Sequence, residues 1–270
     1  MYTGIALVLF TVGLILSLIS MELGWRDLWW SWIAANILAG APAAIALNAV
    51  SLKISAKIVD TTVAFPTAFQ TCCVGICSNL LPVPAGSLIH TSALITRGAP
   101  ALQSGLIVLM GNLLSLAMVM LLSGLVLTLG KIPAGPPVLA VGSVLVLASA
   151  AFLITKVSLR LATSFLLIRL ARIAVMIVRI QVSFIIIGVA VTVIDAALFS
   201  GAVILGKTLA VFPAGFGISE ALAALLAMAT TISPGAAFVA IGLNRISTLT
   251  FAGLFVLAIQ IYQSADKQHE

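Results

Sequence analysis

Few residues in this chain can do chemistry, and those few are set in long apolar runs. Glu220 follows a turn-forming stretch, Pro213-Ala214-Gly215-Phe216-Gly217, and opens an apolar segment; Arg245 is the nearest basic residue after it. A carboxylate at a helix N-terminus gains about 0.3–1 kcal/mol from the helix dipole. A charge at bilayer depth costs about 2.5–3.5 kcal/mol on insertion scales. The dipole alone therefore does not keep Glu220 ionised in hydrocarbon; it needs water, a cation or a partner such as Arg245. The two then either line a substrate cavity or form a fixed ion pair that holds the turn.

Asp195 stands near the centre of the apolar run 182–206, where it could line a pathway, carry protons or pair with Arg245. His90 could become cationic near its unperturbed pKa of about 6.5, although a histidine in apolar surroundings can equally be a neutral hydrogen-bonded residue. Asn79 is the polar residue ahead of a second turn-forming stretch that contains Pro82 and Gly86. Substrate-binding candidates are thus Glu220, Arg245, Asp195, Asn79 and His90, with Pro82, Gly86, Pro213, Gly215 and Gly217 as turn formers. Cys72, Cys73 and Cys77 lie close together, but a metal would want more ligands nearby, so small-residue packing is their expected role. No phosphate-cradling Gly-Lys-Ser/Thr loop, His-Glu-x-x-His motif or nucleophile triad is present. No catalytic residue, metal or cofactor is expected.

The elements that position these residues follow from composition. Of 270 residues, 62% are hydrophobic and 7% charged, with a mean hydropathy of +1.29; an ordinary soluble domain is roughly 25% charged. Spans in hydrocarbon must be helices or a closed barrel, because unpaired backbone groups cost several kcal/mol there. The apolar runs are continuous rather than alternating, which excludes the barrel. The chain is therefore an all-α, polytopic integral membrane protein. Its net charge of +6 comes from scattered residues with no aromatic-lined patch, so no nucleic-acid partner is expected. No basic residue precedes the first apolar run and no A-x-A-like site closes it, so it reads as a retained span.

Apolar runs cover residues 1–21, 28–52, 98–130, 132–155, 182–206 and 246–264, and two broken segments cover 61–97 and 208–230. Trp29, Trp30 and Trp32 open the second run where indoles favour the interface. The five basic residues of 156–179, with no acidic one, read as the strongest cytoplasmic loop. Arg169, Arg172 and Arg179 share a helical face, which suits a helix lying on an anionic leaflet or plain topology determinants. Lys53, Lys57 and Arg97 then also lie in the cytoplasm, so 61–97 enters and returns without crossing. Six crossings, two re-entrant segments and cytoplasmic termini result. The halves, 1–130 and 131–270, carry similar triplets, Pro84-Ala85-Gly86 and Pro213-Ala214-Gly215, followed by Asn112 and by Asn244-Arg245. Three spans separate the triplets, so either the halves oppose each other, as in inverted-repeat transporters, or the triplets coincide by chance in an Ala/Gly-rich chain.

At these residues the chain resembles the lysylphosphatidylglycerol synthase transmembrane-region family, over roughly residues 10–262. Pro213, Gly215, Gly217, Glu220 and Arg245 match its P-x-G-x-G-x-x-E motif and the arginine about 25 residues on. Asn79, Pro82 and Gly86 fit its first motif, N-x-x-P-x-R-x-G-E-x-x-R, while Pro84, Ser87 and His90 stand in place of its Arg, Glu and Arg. The resemblance implies translocation of a lipid or lipid-linked substrate, or an accessory role in it; the expected partner is a membrane phospholipid or a polyprenyl-phosphate-linked lipid in the cytoplasmic membrane, with homo-oligomers possible. It implies no synthesis, since the aminoacyl-transferase domain of bifunctional relatives has no room here. An intramembrane enzyme using Asp195, Glu220 and His90, or an ion or proton channel, is the alternative.

Overall fold

The computed structural model describes residues 2–22, 24, 26–80, 85–208 and 217–266, and every regular element among them is a helix. Pro82, Pro213 and Gly215 lie outside the described residues. The order is α1 (Tyr2–Ser20), α2 (Trp30–Ala35), α3 (Ala41–Ile58), α4 (Phe65–Ser78), α5 (Ala85–Ile95), α6 (Ala101–Leu129), α7 (Gly135–Lys156), α8 (Leu159–Ile186), α9 (Val193–Thr208), α10 (Ile218–Ala227) and α11 (Pro234–Asp266). A π-helical turn, Asn36–Gly40, joins α2 to α3 without a break. Among the described residues, five helices are long and apolar enough to cross a membrane: Trp30–Ile58, Ala101–Leu129, Gly135–Thr155, Leu159–Ile186 and Pro234–Ser264. The protein is a multi-pass membrane protein.

Local sequence sets the helix boundaries. Proline occupies the first turn of α4 and α7, where its missing N–H has no helical partner to lose. The run 182–206, expected as one span, is instead divided. Gly188 takes φ +71°; its N–H donates to Ile185 O at 2.9 Å and that of Val189 to Phe184 O at 3.0 Å. This Schellman turn closes α8. Thr192 then caps α9. α3 ends in the same way at Asp60, φ +55°, with the Thr61 N–H reaching Ala56 O at 2.9 Å. In both places six residues separate a long helix from the short one that follows.

The basic stretch 156–179 is not a loop. It forms most of α8, a 28-residue helix packed against α3, α9 and α11. Arg169 and Arg179 are buried, so they do not mark an exposed cytoplasmic face. Their guanidinium groups find partners far away in sequence, which hydropathy counting does not detect.

Two hydrophobic cores share α8. One gathers Ile45, Leu52, Cys73, Leu94, Leu114 and Phe165; the other gathers Ile180, Phe184, Phe199, Ala223, Ala240 and Ile241. The packing partners correspond across the chain. α4 lies against α5 and α11, and α9 against α10 and α6. α1 packs on α11, α7 packs on α6, and α3 packs on α8. The α6–α7 contact is made through Gly124 and Gly142, where a Cβ would strike the backbone of the opposite helix. Such small residues let membrane helices approach closely, gaining dispersion where no hydrophobic drive exists.

Candidate functional site

Glu220 and Arg245 meet inside the second core. Glu220 is the third residue of α10 and fully buried; its Oε1 lies 3.2 Å from Arg245 Nε. Distance and charge make this an ion pair, although the N–H is not aligned as a hydrogen bond to that oxygen. The other oxygen, Oε2, accepts the Gly217 N–H at 3.0 Å. Gly217 sits at φ +79°, a conformation that glycine adopts without a Cβ penalty. Glu220 therefore caps its own helix and neutralises an arginine.

α8 supplies the remaining interior cations. Arg179 donates from Nε to Asn36 Oδ1 at 3.1 Å, and from Nη2 to Asn244 O at 3.0 Å and Thr248 Oγ1 at 2.7 Å. Arg169 is held more loosely. Its Nη1 donates to Ser115 Oγ at 3.3 Å, its guanidinium lies 4.7 Å from the Phe165 ring centroid, and its Nε has no hydrogen-bond partner among the described residues. Arg169 and Arg172 line a cavity of about 50 Å³ between α3, α5, α6 and α8, with His90 and Asn112 on its other walls. A cavity of that size and polarity holds several waters.

The expected site residues do not form one cluster. Glu220 and Arg245 are together. His90 lies on the cavity wall with Arg169 and Arg172. Asn79 has a local role: its Oδ1 accepts the Gly86 N–H at 2.8 Å, tying the end of α4 to the start of α5. Gly86 gives that side chain room, because a Cβ would stand 2.7 Å from it. Asp195 is not mid-span. It lies in the first turn of α9 and accepts Thr192 N–H at 3.1 Å and Thr192 Oγ–H at 2.7 Å, while Thr192 Oγ1 accepts the Asp195 N–H at 3.1 Å. This reciprocal capping box explains the carboxylate without a pathway and without Arg245.

The arginines of α8 and the π-helical Asn36 are the interior polar groups that the candidate set lacked. Only the shared face of Arg169, Arg172 and Arg179 hinted at them. Among the described residues, Arg169, Arg179 and Arg245 are buried against a single buried carboxylate, Glu220. The interior is cationic on balance and so favours anions. Cys72 and Cys73 are buried and unbridged and pack in the first core.

No model of a known protein family matches the chain, and no curated protein matches it in sequence.

Proposed function

We propose that this protein moves an anionic amphiphile, a phospholipid or a polyprenyl-phosphate-linked lipid, between the leaflets of the cytoplasmic membrane. The observation that carries this reading is the excess of buried guanidinium over carboxylate inside a bundle of membrane-length helices. An uncompensated buried charge is costly, and a mobile anion offsets it. The helix N-termini contribute less than the arginines, because Asn79 already holds the Gly86 N–H and Glu220 the Gly217 N–H. An amphiphile needs only its headgroup sheltered while its tails stay in lipid, so a bundle of this size suffices. Resemblance to a flippase-associated family, resting on the motif residues alone, points the same way.

The architecture proposed is an inverted repeat, with α1 to α6 opposing α7 to α11. Each half supplies three crossings and one re-entrant pair, α4–α5 or α9–α10. Three crossings per half reverse the second half relative to the first, as in other transporters with a midplane site. The matched helix order, the matched connections after α3 and α8, and the matched packing partners support it.

Reconstitution into liposomes with labelled anionic phospholipids and polyprenyl phosphates, followed by chemical reduction of the outer leaflet, tests the function. Label should reach the protected leaflet faster than in empty liposomes. If every lipid in the panel moves at the protein-free rate, the transport reading fails.

A further inference from the structure

The two halves carry the same pair of positions with different chemistry. Asn112 Nδ2 on α6 donates to Ser87 Oγ on α5 at 3.2 Å, across 25 residues. Arg245 on α11 meets Glu220 on α10 at the same 25-residue separation and also at 3.2 Å. The agreement extends to α8. Arg169 contacts Ser115, three residues after Asn112, and would clash with a Cβ on Gly111, one before it. Arg179 bonds Thr248, three residues after Arg245, and the carbonyl of Asn244, one before it. One helix therefore presents an arginine to the equivalent register of each half.

The difference between the halves is the carboxylate. In the second half Glu220 supplies one. In the first, the equivalent position is Ser87, whose partner Asn112 lines the cavity of about 50 Å³ shared with Arg169, Arg172 and His90; among the described residues no acidic one lines it. Arg169 is 5% exposed, and its Nε has no hydrogen-bond partner among the described residues. Asn112 is exposed, so one wall of the cavity reaches the protein surface. Two arginines and Asn112 line a space that a small oxyanion fits, and charge-assisted contacts to arginine are the strong ones.

We infer that this cavity binds a phosphate-class oxyanion, which takes in the first half the place that the Glu220 carboxylate fills in the second. The inference rests on the anionic-substrate reading above and gives that substrate's headgroup an address. It also assigns unlike roles to the halves: the second is closed by its own ion pair, and the first stays open to a ligand.

The test uses full-length protein in detergent, with thermal unfolding followed in inorganic phosphate and in chloride at equal ionic strength. A second arm measures, by native mass spectrometry, the lipid retained after extraction from vesicles of phosphatidylglycerol and phosphatidylcholine. Phosphate, retained phosphatidylglycerol, or both should stabilise the wild type; response to the lipid alone identifies a headgroup site, and response to both a general phosphate site. Ser87→Glu restores an internal carboxylate and should raise the melting temperature in chloride while removing both responses. Arg172→Gln should weaken binding about tenfold or more, and it reads the same site if Ser87→Glu does not accumulate. A wild type indifferent to both probes, or variants that bind as the wild type does, would overturn the site. Translocation is scored separately. Binding without translocation keeps this site and removes the transport reading, whereas translocation undiminished in Ser87→Glu and Arg172→Gln does the reverse.

Discussion

Asn36 and Arg179 hold each other inside the bundle: Arg179 Nε donates to Asn36 Oδ1 at 3.1 Å, and Asn36 begins the π-helical turn that joins α2 to α3. The wide turn has a purpose. It brings Gly40 against the same guanidinium, where an added Cβ would stand 2.7 Å from Asn36 Oδ1 and 3.3 Å from Arg179 Nε. π-bulges in helices recur at functional sites, and here the bulge receives a buried charge. Asn36→Ala strips an acceptor from a buried cation and should destabilise the protein by about 1.5–3 kcal/mol. Gly40→Val should be at least as harmful. Thermal unfolding in detergent checks both, and an unchanged melting temperature for both variants would show that the contact is idle.

Glu220 and Arg245 should prove strongly coupled. Removing one partner of a buried pair leaves the other uncompensated, at a cost of about 3–5 kcal/mol. Glu220→Gln and Arg245→Gln should each destabilise heavily, and the double variant should lose less than the sum. A coupling energy of about 0.5–3 kcal/mol is the expected size for residues in contact. Strictly additive losses would mean that the two act independently.

Topology is testable at the helix ends. If α4–α5 is re-entrant, single cysteines at Asp60 and Arg97 should label from one face of the membrane, in a background with Cys72, Cys73 and Cys77 replaced. Cysteines at Gly188 and Thr230 should likewise share a face, opposite to the first. Labelling of residues 60 and 97 from opposite faces would require α4–α5 to cross, and the inverted repeat would be lost.

Sequence alone made the membrane class and the Glu220–Arg245 pair legible, because apolar length and a charge after a glycine turn are local signals. The cationic cavity was not legible in that way. Arg169 reads as a loop charge until Ser115, 54 residues away, is known to face it. Asp195 is hard to place for another reason, since its signals are local. Gly188 and the Thr192-x-x-Asp195 box both mark a helix boundary, but the uninterrupted apolarity around them outweighed two punctuation signals. The Pro-Ala-Gly triplets also misled in detail. Gly86 directly precedes Ser87, while Gly215 lies five residues before Glu220. The triplets are therefore four residues out of step with the Ser87–Asn112 and Glu220–Arg245 pairs, each 25 residues apart.

Asp195 gives the last prediction, which separates capping from coupling. A carboxylate that carries protons through a transport cycle loses function when made neutral, whatever happens to stability. A capping carboxylate does the opposite. Asp195 is bonded to Thr192 three residues earlier and only partly buried, so Asp195→Asn should keep an acceptor for the Thr192 N–H and cost little. Asp195→Ala removes the acceptor and should cost about 0.5–2 kcal/mol, the range for losing a cap. Thr192→Ala should cost a similar amount, and the two should not add, because they break one reciprocal box. Lipid translocation per folded molecule should stay at the wild-type rate in all three. If Asp195→Asn abolished translocation while its unfolding curve matched the wild type, the capping account would be insufficient and the carboxylate would belong to the transport cycle.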